Sequence, residues 1–94
     1  MIVTVDELKT HLRIQHDEED GLLESLLRQA KAVANDYCRT DFDEDAPEPV
    51  RLAVLLMAAH FYEYRDSSDK TAFTTMIAAF RALLYPYRVI EEMF

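Results

Sequence analysis

The sequence has few of the residues that interrupt or cross-link a chain. Its 94 residues include one glycine, three prolines, one cysteine and no tryptophan. The single cysteine, Cys38, excludes an internal disulfide and is compatible with a reducing compartment. So few turn-forming residues favour long helices over many short strands.

Long apolar runs and a recognisable leader are missing as well. The longest uncharged apolar run extends from Leu52 to Ala59, whereas a membrane span needs ~20 residues. Residues 1–7 lack the basic and apolar regions of a signal peptide. Half of the residues are nonetheless apolar, which argues against a disordered chain. We therefore expect one soluble domain, residues 1–94, made in the cytoplasm.

The net charge of −8 is unevenly distributed. Residues 1–48 contain 13 acidic and 5 basic side chains, whereas residues 49–94 contain 5 of each. An acidic protein is poorly suited to gripping the phosphates of DNA, which require lysine and arginine. The acidic half is compatible with a solvated surface that aids solubility, or with the wall of a channel through which DNA slides.

The first half of the sequence predicts two helices. Thr4, followed three residues later by Glu7, forms a capping box that starts a short first helix. A second, longer helix is expected to begin at Asp17, because acidic residues favour the positive end of a helix. Apolar residues then recur at helical spacing from Leu22 to Tyr37.

The second half predicts two more helices after a linker at residues 41–49. The third helix is expected from about Pro49 to Arg65, since proline is tolerated in a first helical turn. The fourth is expected to begin at Thr71 or Thr75 and to end at Tyr85, before Pro86. Taken together, the pattern predicts an all-α bundle with one short N-terminal helix, two long antiparallel helices and one C-terminal helix.

The C-terminal segment, residues 87–94, alternates apolar and charged side chains. A short strand, an extended arm and a disordered segment are all compatible with this pattern.

The third helix carries the main indication of a partner. Its apolar residues from Leu52 to Ala59 point to every side of the helix, and such a helix must be buried all round. In a chain with four helices the others can cover about two of its sides. We therefore expect the remaining side to contact another chain.

The chemistry of an enzyme has no support in the sequence. His11 and His16 do not share a helical face, and a pair formed by His60 and Glu63 does not complete a metal site. The acidic residues of the 41–49 linker resemble the start of a calcium loop, but the glycine and glutamate that such a loop requires are missing. No glycine-rich phosphate loop or serine triad is present. We expect no catalytic residue, no metal and no cofactor.

A DNA-reading helix-turn-helix is also disfavoured. Its recognition helix requires arginine, lysine, asparagine or glutamine, whereas the third helix is apolar and the fourth contains only Arg81 in its middle. A DNA-binding regulator therefore remains a minor alternative, behind a small acidic cytoplasmic module that binds another protein.

Three segments resemble one family when they are taken in order. Residues 3–14 read VTVDELKTHLRI, residues 49–63 read PVRLAVLLMAAHFYE and residues 82–88 read ALLYPYR. Together with the acidic run at residues 17–20, they are similar to the head–tail connector, or adaptor, proteins of tailed bacteriophages and prophages. The similarity spans nearly the whole chain.

This resemblance implies a structural role in the virion. Such proteins assemble as a ring of about a dozen subunits beneath the portal. The ring extends the channel for double-stranded DNA without reading its sequence, and it offers a platform to a stopper or tail-joining protein. The resemblance also implies that the C-terminal segment from Tyr87 docks on the portal; a plain helix stop, with Tyr87 packed on its own core, is the alternative for Tyr87 and Arg88.

The interface candidates are apolar side chains of the third helix together with aromatic and arginine residues, which are enriched at interfaces. They are Leu52, Leu55, Leu56, Ala59, Tyr62, Tyr64, Arg65, Arg81, Tyr85, Tyr87, Arg88, Ile90 and Phe94.

Overall fold

The computed structural model describes residues 2–64 and 70–89. These residues form four α-helices: α1 (Val5–Leu12), α2 (Asp20–Cys38), α3 (Glu48–Glu63) and α4 (Lys70–Leu84). A short 3₁₀ turn, Tyr85–Tyr87, follows α4. Within the described ranges there is no strand, so the prediction of a small all-α bundle is confirmed.

Helix α1 begins with the predicted capping box. The Thr4 hydroxyl accepts a hydrogen bond from the Glu7 N–H at 3.1 Å, and Glu7 Oε1 accepts one from the Thr4 N–H at 3.1 Å. These bonds satisfy two N–H groups that a helix start otherwise leaves unpaired. The bond from the Thr4 backbone is also the main reason that the pKa of Glu7 is lowered. The helix ends at Arg13, which adopts a left-handed conformation with φ of 61°.

Helix α2 begins at Asp20, and the prediction of a start at Asp17 is wrong by about one turn. Asp17 lies in a turn before the helix, where its carboxylate binds Lys9 Nζ of α1 at 2.5 Å. The same ammonium group binds Asp20 Oδ1 at 2.9 Å. Lys9 thus connects α1 to the turn before α2 and to the first residue of α2.

The Lys9–Asp17 contact predicts a pH dependence of stability. The hydrogen bond from Lys9 lowers the pKa of Asp17 below its ordinary value of 3.8. A carboxylate with a lowered pKa stabilises the folded state above its unfolded pKa and loses that effect as pH falls through its folded pKa. We expect Asp17→Asn to reduce the free energy of unfolding at pH 7, with the difference from wild type shrinking below about pH 4.

Urea denaturation at pH 7 and at pH 3 measures this difference. Glu18→Gln is the matched control, because Glu18 is an exposed neighbour that makes no ion pair with a described residue. A difference for Asp17→Asn that is equally large at both pH values would contradict the assignment.

The core lies around α3, which contacts α1, α2 and α4. A hydrogen bond of 2.5 Å between Tyr62 Oη and Glu19 Oε1 links the end of α3 to the start of α2. The two helices are therefore antiparallel, as predicted. The largest fully buried side chains come from all four helices: Leu8, Leu23, Cys38, Val50, Val54, Met57, Phe80 and Leu84.

Helices α3 and α4 differ slightly from their predicted bounds. Helix α3 ends at Glu63 rather than Arg65, since the Tyr64 N–H closes the last turn on the His60 carbonyl at 2.9 Å. Helix α4 begins at Lys70, close to the earlier of the two predicted starts, and the Thr74 hydroxyl donates to the Lys70 carbonyl. The predicted polar loop at residues 65–69 lies outside the described residues.

Candidate functional site

One face of α3 is left open by the rest of the bundle. Leu52, Leu56, Ala59 and Glu63 follow one another at helical spacing and therefore share this face. Leu52 keeps 43 % of its surface exposed, and Leu56 is half-buried. Val54 lies on the far side of α3, where it borders a small cavity together with Leu27 of α2. The open face of α3 is thus turned away from α2.

The open face forms the floor of a groove between α1 and α4, which we call the α3 groove. Its volume is about 410 Å³. Small side chains on α3 and α4 make the surface concave here, because alanine leaves space where a larger residue would project. The lining residues are His11, Leu56, Ala59, His60, Glu63, Tyr64, Ala72, Thr75, Met76 and Ala79.

Aromatic side chains border one end of the α3 groove. The His60 ring stacks on Tyr64 with centroids 4.8 Å apart, and it lies 5.9 Å from the ring of Phe73. Tyr64 is 39 % exposed and Phe73 is 47 % exposed. Sequence reasoning missed Phe73, because its spacing to Met76 on α4 is equally typical of a core residue. Exposed aromatic side chains beside an apolar groove are characteristic of protein-binding surfaces.

The predicted interface residues fall into separate groups. Leu56 and Tyr64 line the α3 groove, and Ala59 is only 3 % exposed at its floor. Leu55 borders a separate shallow pocket beside α1. Leu52 lies one helical turn before Leu56 on the open face of α3. Arg65, Ile90 and Phe94 lie outside the described residues.

Tyr62 does not border the groove, since its hydroxyl bonds Glu19 of α2. Arg81 is exposed on α4.

The remaining predicted interface residues follow α4. Tyr85 is 60 % exposed, and Tyr87 is half-buried against the core. Arg88 packs against its own chain: its Nε donates to the Tyr37 carbonyl at 2.9 Å, and its guanidinium carbon lies 4.6 Å from the centre of the Tyr37 ring. The Val89 N–H donates to the Cys38 carbonyl at 2.8 Å. The described end of the chain is therefore fixed on the last turn of α2.

The groups capable of chemistry are few and scattered. His11, His60 and Glu63 all border the α3 groove, yet no three metal-ligating side chains of the described residues lie close enough to hold an ion. Burial raises the pKa of the Cys38 thiol, and the nearby charge of Arg88 only partly opposes this. A buried thiol with a raised pKa is a poor nucleophile.

The fold and the surface together define a class: a small helical protein with a groove on one face of its central helix, bordered at one end by exposed aromatic side chains. None of the described helices is long and apolar enough to cross a membrane.

A sequence model of the family described as phage gp6-like head-tail connector protein matches residues 2–88. The chain belongs to this family, and the sequence-based recognition is confirmed. Searches of curated proteins and of solved structures gave no significant match. The family is structural, which fits the expectation of a non-enzymatic virion component.

Proposed function

We propose that this connector assembles as a ring beneath the portal at the head–tail junction of the virion. The ring extends the DNA channel and provides the attachment platform for a stopper or tail-joining protein. Family membership supports a role at the head–tail junction. The proposal of a ring rests on the open, apolar face of α3.

The position of this face suits a ring. The α3 groove lies on the side of α3 turned away from α2, so a neighbour that covers it leaves the α2 side of the first subunit free. A contact between this groove and a different surface of the next copy is heterologous, and such contacts form a ring when the rotation from one subunit to the next closes. Exposed Leu52 and half-buried Leu55 and Leu56 provide apolar area that such a contact removes from water.

The charges support a channel through which DNA passes without being gripped. Four of the basic side chains, Lys9, Arg28, Lys31 and Arg51, already form ion pairs within the chain. These four charges are partly neutralised by their carboxylate partners, and the net charge of −8 repels phosphates.

We assign docking on the portal to the C-terminal segment from Tyr87 to Phe94, of which Tyr87, Arg88 and Val89 lie within the described residues. Deletion of residues 90–94 keeps Val89 and its hydrogen bond to Cys38, so we expect the protein to stay folded. We expect the same variant to lose binding to the portal protein in a pull-down. A truncated protein that binds the portal as well as wild type would contradict this assignment.

Native mass spectrometry of the chain mixed with assembled portal tests the ring. We expect a complex that carries many copies of the chain on each portal ring. One copy or one dimer on any partner would instead favour the alternative, a small acidic protein-binding module. Binding of the free chain to DNA with strong salt dependence would favour a DNA-binding regulator.

A further inference from the structure

One side of α2 carries no charge over about three helical turns. Leu22, Leu26, Gln29 and Val33 follow one another at helical spacing and therefore share this side, which we call the α2 stripe. Leu22 is 38 % exposed and Val33 is 39 % exposed, whereas Leu26 is buried. The Gln29 amide donates a hydrogen bond to the Ser25 hydroxyl at 3.1 Å. The α2 stripe is thus an uncharged surface that exposes two apolar side chains to water.

The α2 stripe has the same spacing as the open face of α3. Leu22 and Val33 are eleven residues apart, as are Leu52 and Glu63, a length of about 16.5 Å along a helix. The α2 stripe is a convex row of side chains, whereas alanines make the α3 groove concave. Helices pack when a row of side chains on one enters a groove on the other, so the two surfaces match in length and in shape. Two α3 grooves placed face to face would instead leave space between them.

The remaining exposed apolar side chains offer few alternatives for covering the α3 groove of another copy. Within residues 2–64 and 70–89, the large ones outside α2 lie on the open face of α3, at the border of the groove, or after α4 as Tyr85 and Val89 do. Leu22 and Val33 are therefore the pair that a helix of the described residues presents away from the groove.

The opposite side of α2 is unsuited to an apolar contact because it is charged. Glu24 and Arg28 lie there and form an exposed ion pair at 2.8 Å. Burying such charges in an apolar groove is unfavourable. The α2 stripe is thus the side of α2 whose burial in the groove removes no charge from water.

The positions of the two surfaces on the subunit suit a ring. The α3 groove lies on the side of α3 turned away from α2, so the groove and the α2 stripe belong to different sides of one subunit. A copy whose groove is filled by one neighbour keeps its own stripe free for the next, as a closed heterologous assembly requires.

We propose that the α2 stripe of one copy fills the α3 groove of the next copy. This inference rests on the proposed ring, and it names the second surface of the contact between subunits. The contact removes Leu22 and Val33 of one copy and Leu56 of the other from water together, which the hydrophobic effect favours. Glu63 is the last residue of α3 and is exposed, so its carboxylate lies at the end of the contact rather than at its centre.

Cross-linking between chains that carry introduced cysteines tests which surfaces meet. Val33→Cys places a thiol on the α2 stripe, and Thr75→Cys places one in the α3 groove. Equal amounts of the two variants are assembled on the portal and treated with a short bismaleimide, which joins two accessible thiols. We expect a cross-linked dimer on a denaturing gel from the mixture and little from either variant alone. Wild type measures the background, since Cys38 is fully buried.

Glu24→Cys is the matched control for Val33→Cys. Glu24 is exposed, and its nine-residue separation from Val33 places it on the opposite side of α2. Its ion pair with Arg28 is exposed and adds little to stability. We expect little dimer from Glu24→Cys mixed with Thr75→Cys. Equal cross-linking of the two α2 variants would overturn the inference, as would a dimer formed by Thr75→Cys alone, which would mean that two grooves face each other.

Assembly of charged variants provides a second readout. We expect Val33→Glu to weaken association of subunits on the portal by at least about tenfold, because the contact would bury an unpaired charge. Leu22→Glu should act in the same way. Ala32→Glu is the control, since Ala32 is exposed and points about 100° away around the helix. Circular dichroism checks that each variant is folded.

The outcomes separate this inference from the proposed ring. If wild type forms complexes with many copies on each portal and the folded Val33→Glu and Leu22→Glu variants do so equally well, the α2 stripe is not the second surface, although the ring stands. If native mass spectrometry of wild type shows no complex with many copies, the ring itself is wrong.

Discussion

Replacing Phe80 with alanine is expected to lower the free energy of unfolding by about 3–5 kcal/mol. Phe80 is 1 % exposed, and it is the largest of the fully buried side chains. Within α4 only Phe80 and Leu84 are buried, so the truncation removes much of the packing that holds this helix against α2 and α3. The total free energy of unfolding of small domains is about 5–15 kcal/mol. We therefore expect Phe80→Ala to remove a large part of the free energy of unfolding of this protein.

The matched control lies two turns earlier on the same helix. Phe73 is 47 % exposed, so Phe73→Ala makes the same chemical change where little packing is lost. We expect a loss below about 1 kcal/mol for this variant, measured for both proteins by urea denaturation followed by far-ultraviolet circular dichroism. Equal losses in the two variants would mean that α4 does not pack on the core through Phe80.

The second large effect is expected on assembly. Leu52→Glu places a charge on the open face of α3, where the proposed ring would bury it without a partner. An unpaired charge in an apolar interface is strongly unfavourable, so we expect at least about a hundredfold weaker association of subunits in the presence of portal. Since Leu52 is 43 % exposed in the single chain, the variant should fold and keep nearly the unfolding transition of wild type.

Light scattering coupled to size-exclusion chromatography measures this effect on mixtures of portal and connector. Ala78→Glu adds the same charge at an exposed position of α4 that does not line the α3 groove, and we expect it to assemble normally. If Leu52→Glu forms rings as readily as wild type, the part of the open α3 face that carries Leu52 is not buried between subunits.

The helices could be predicted because their signals are local. The capping box of Thr4 and Glu7, the spacing of apolar residues in α2 and the proline at the start of α3 each depend on residues within a few positions. The predicted start of α2 is one turn too early. Asp17 lies in the preceding turn, where its carboxylate binds Lys9, eight residues before it, and the local run of acidic residues does not reveal this contact.

The sequence could predict which residues are candidates for an interface, but not which of them are exposed on the folded chain. Leu52, Leu55 and Leu56 could be chosen because α3 is apolar on all sides. The sequence does not reveal that the bulk of Met57 and Val54 is hidden by the other helices while Leu52 stays exposed, since helix docking decides this. Phe73 and Phe80 show the same limit: both fit the apolar spacing of α4, and only packing buries one and exposes the other.

By itself the sequence determined that this chain is helical, acidic and without an internal disulfide, and that it resembles head–tail connectors. These properties follow from composition, from spacing within one or two helical turns and from the order of three short segments. Only the tertiary structure decided which side of α3 stays open and that Arg88 binds the last turn of α2. Both depend on contacts between residues far apart in the chain, which form only when the helices have packed together.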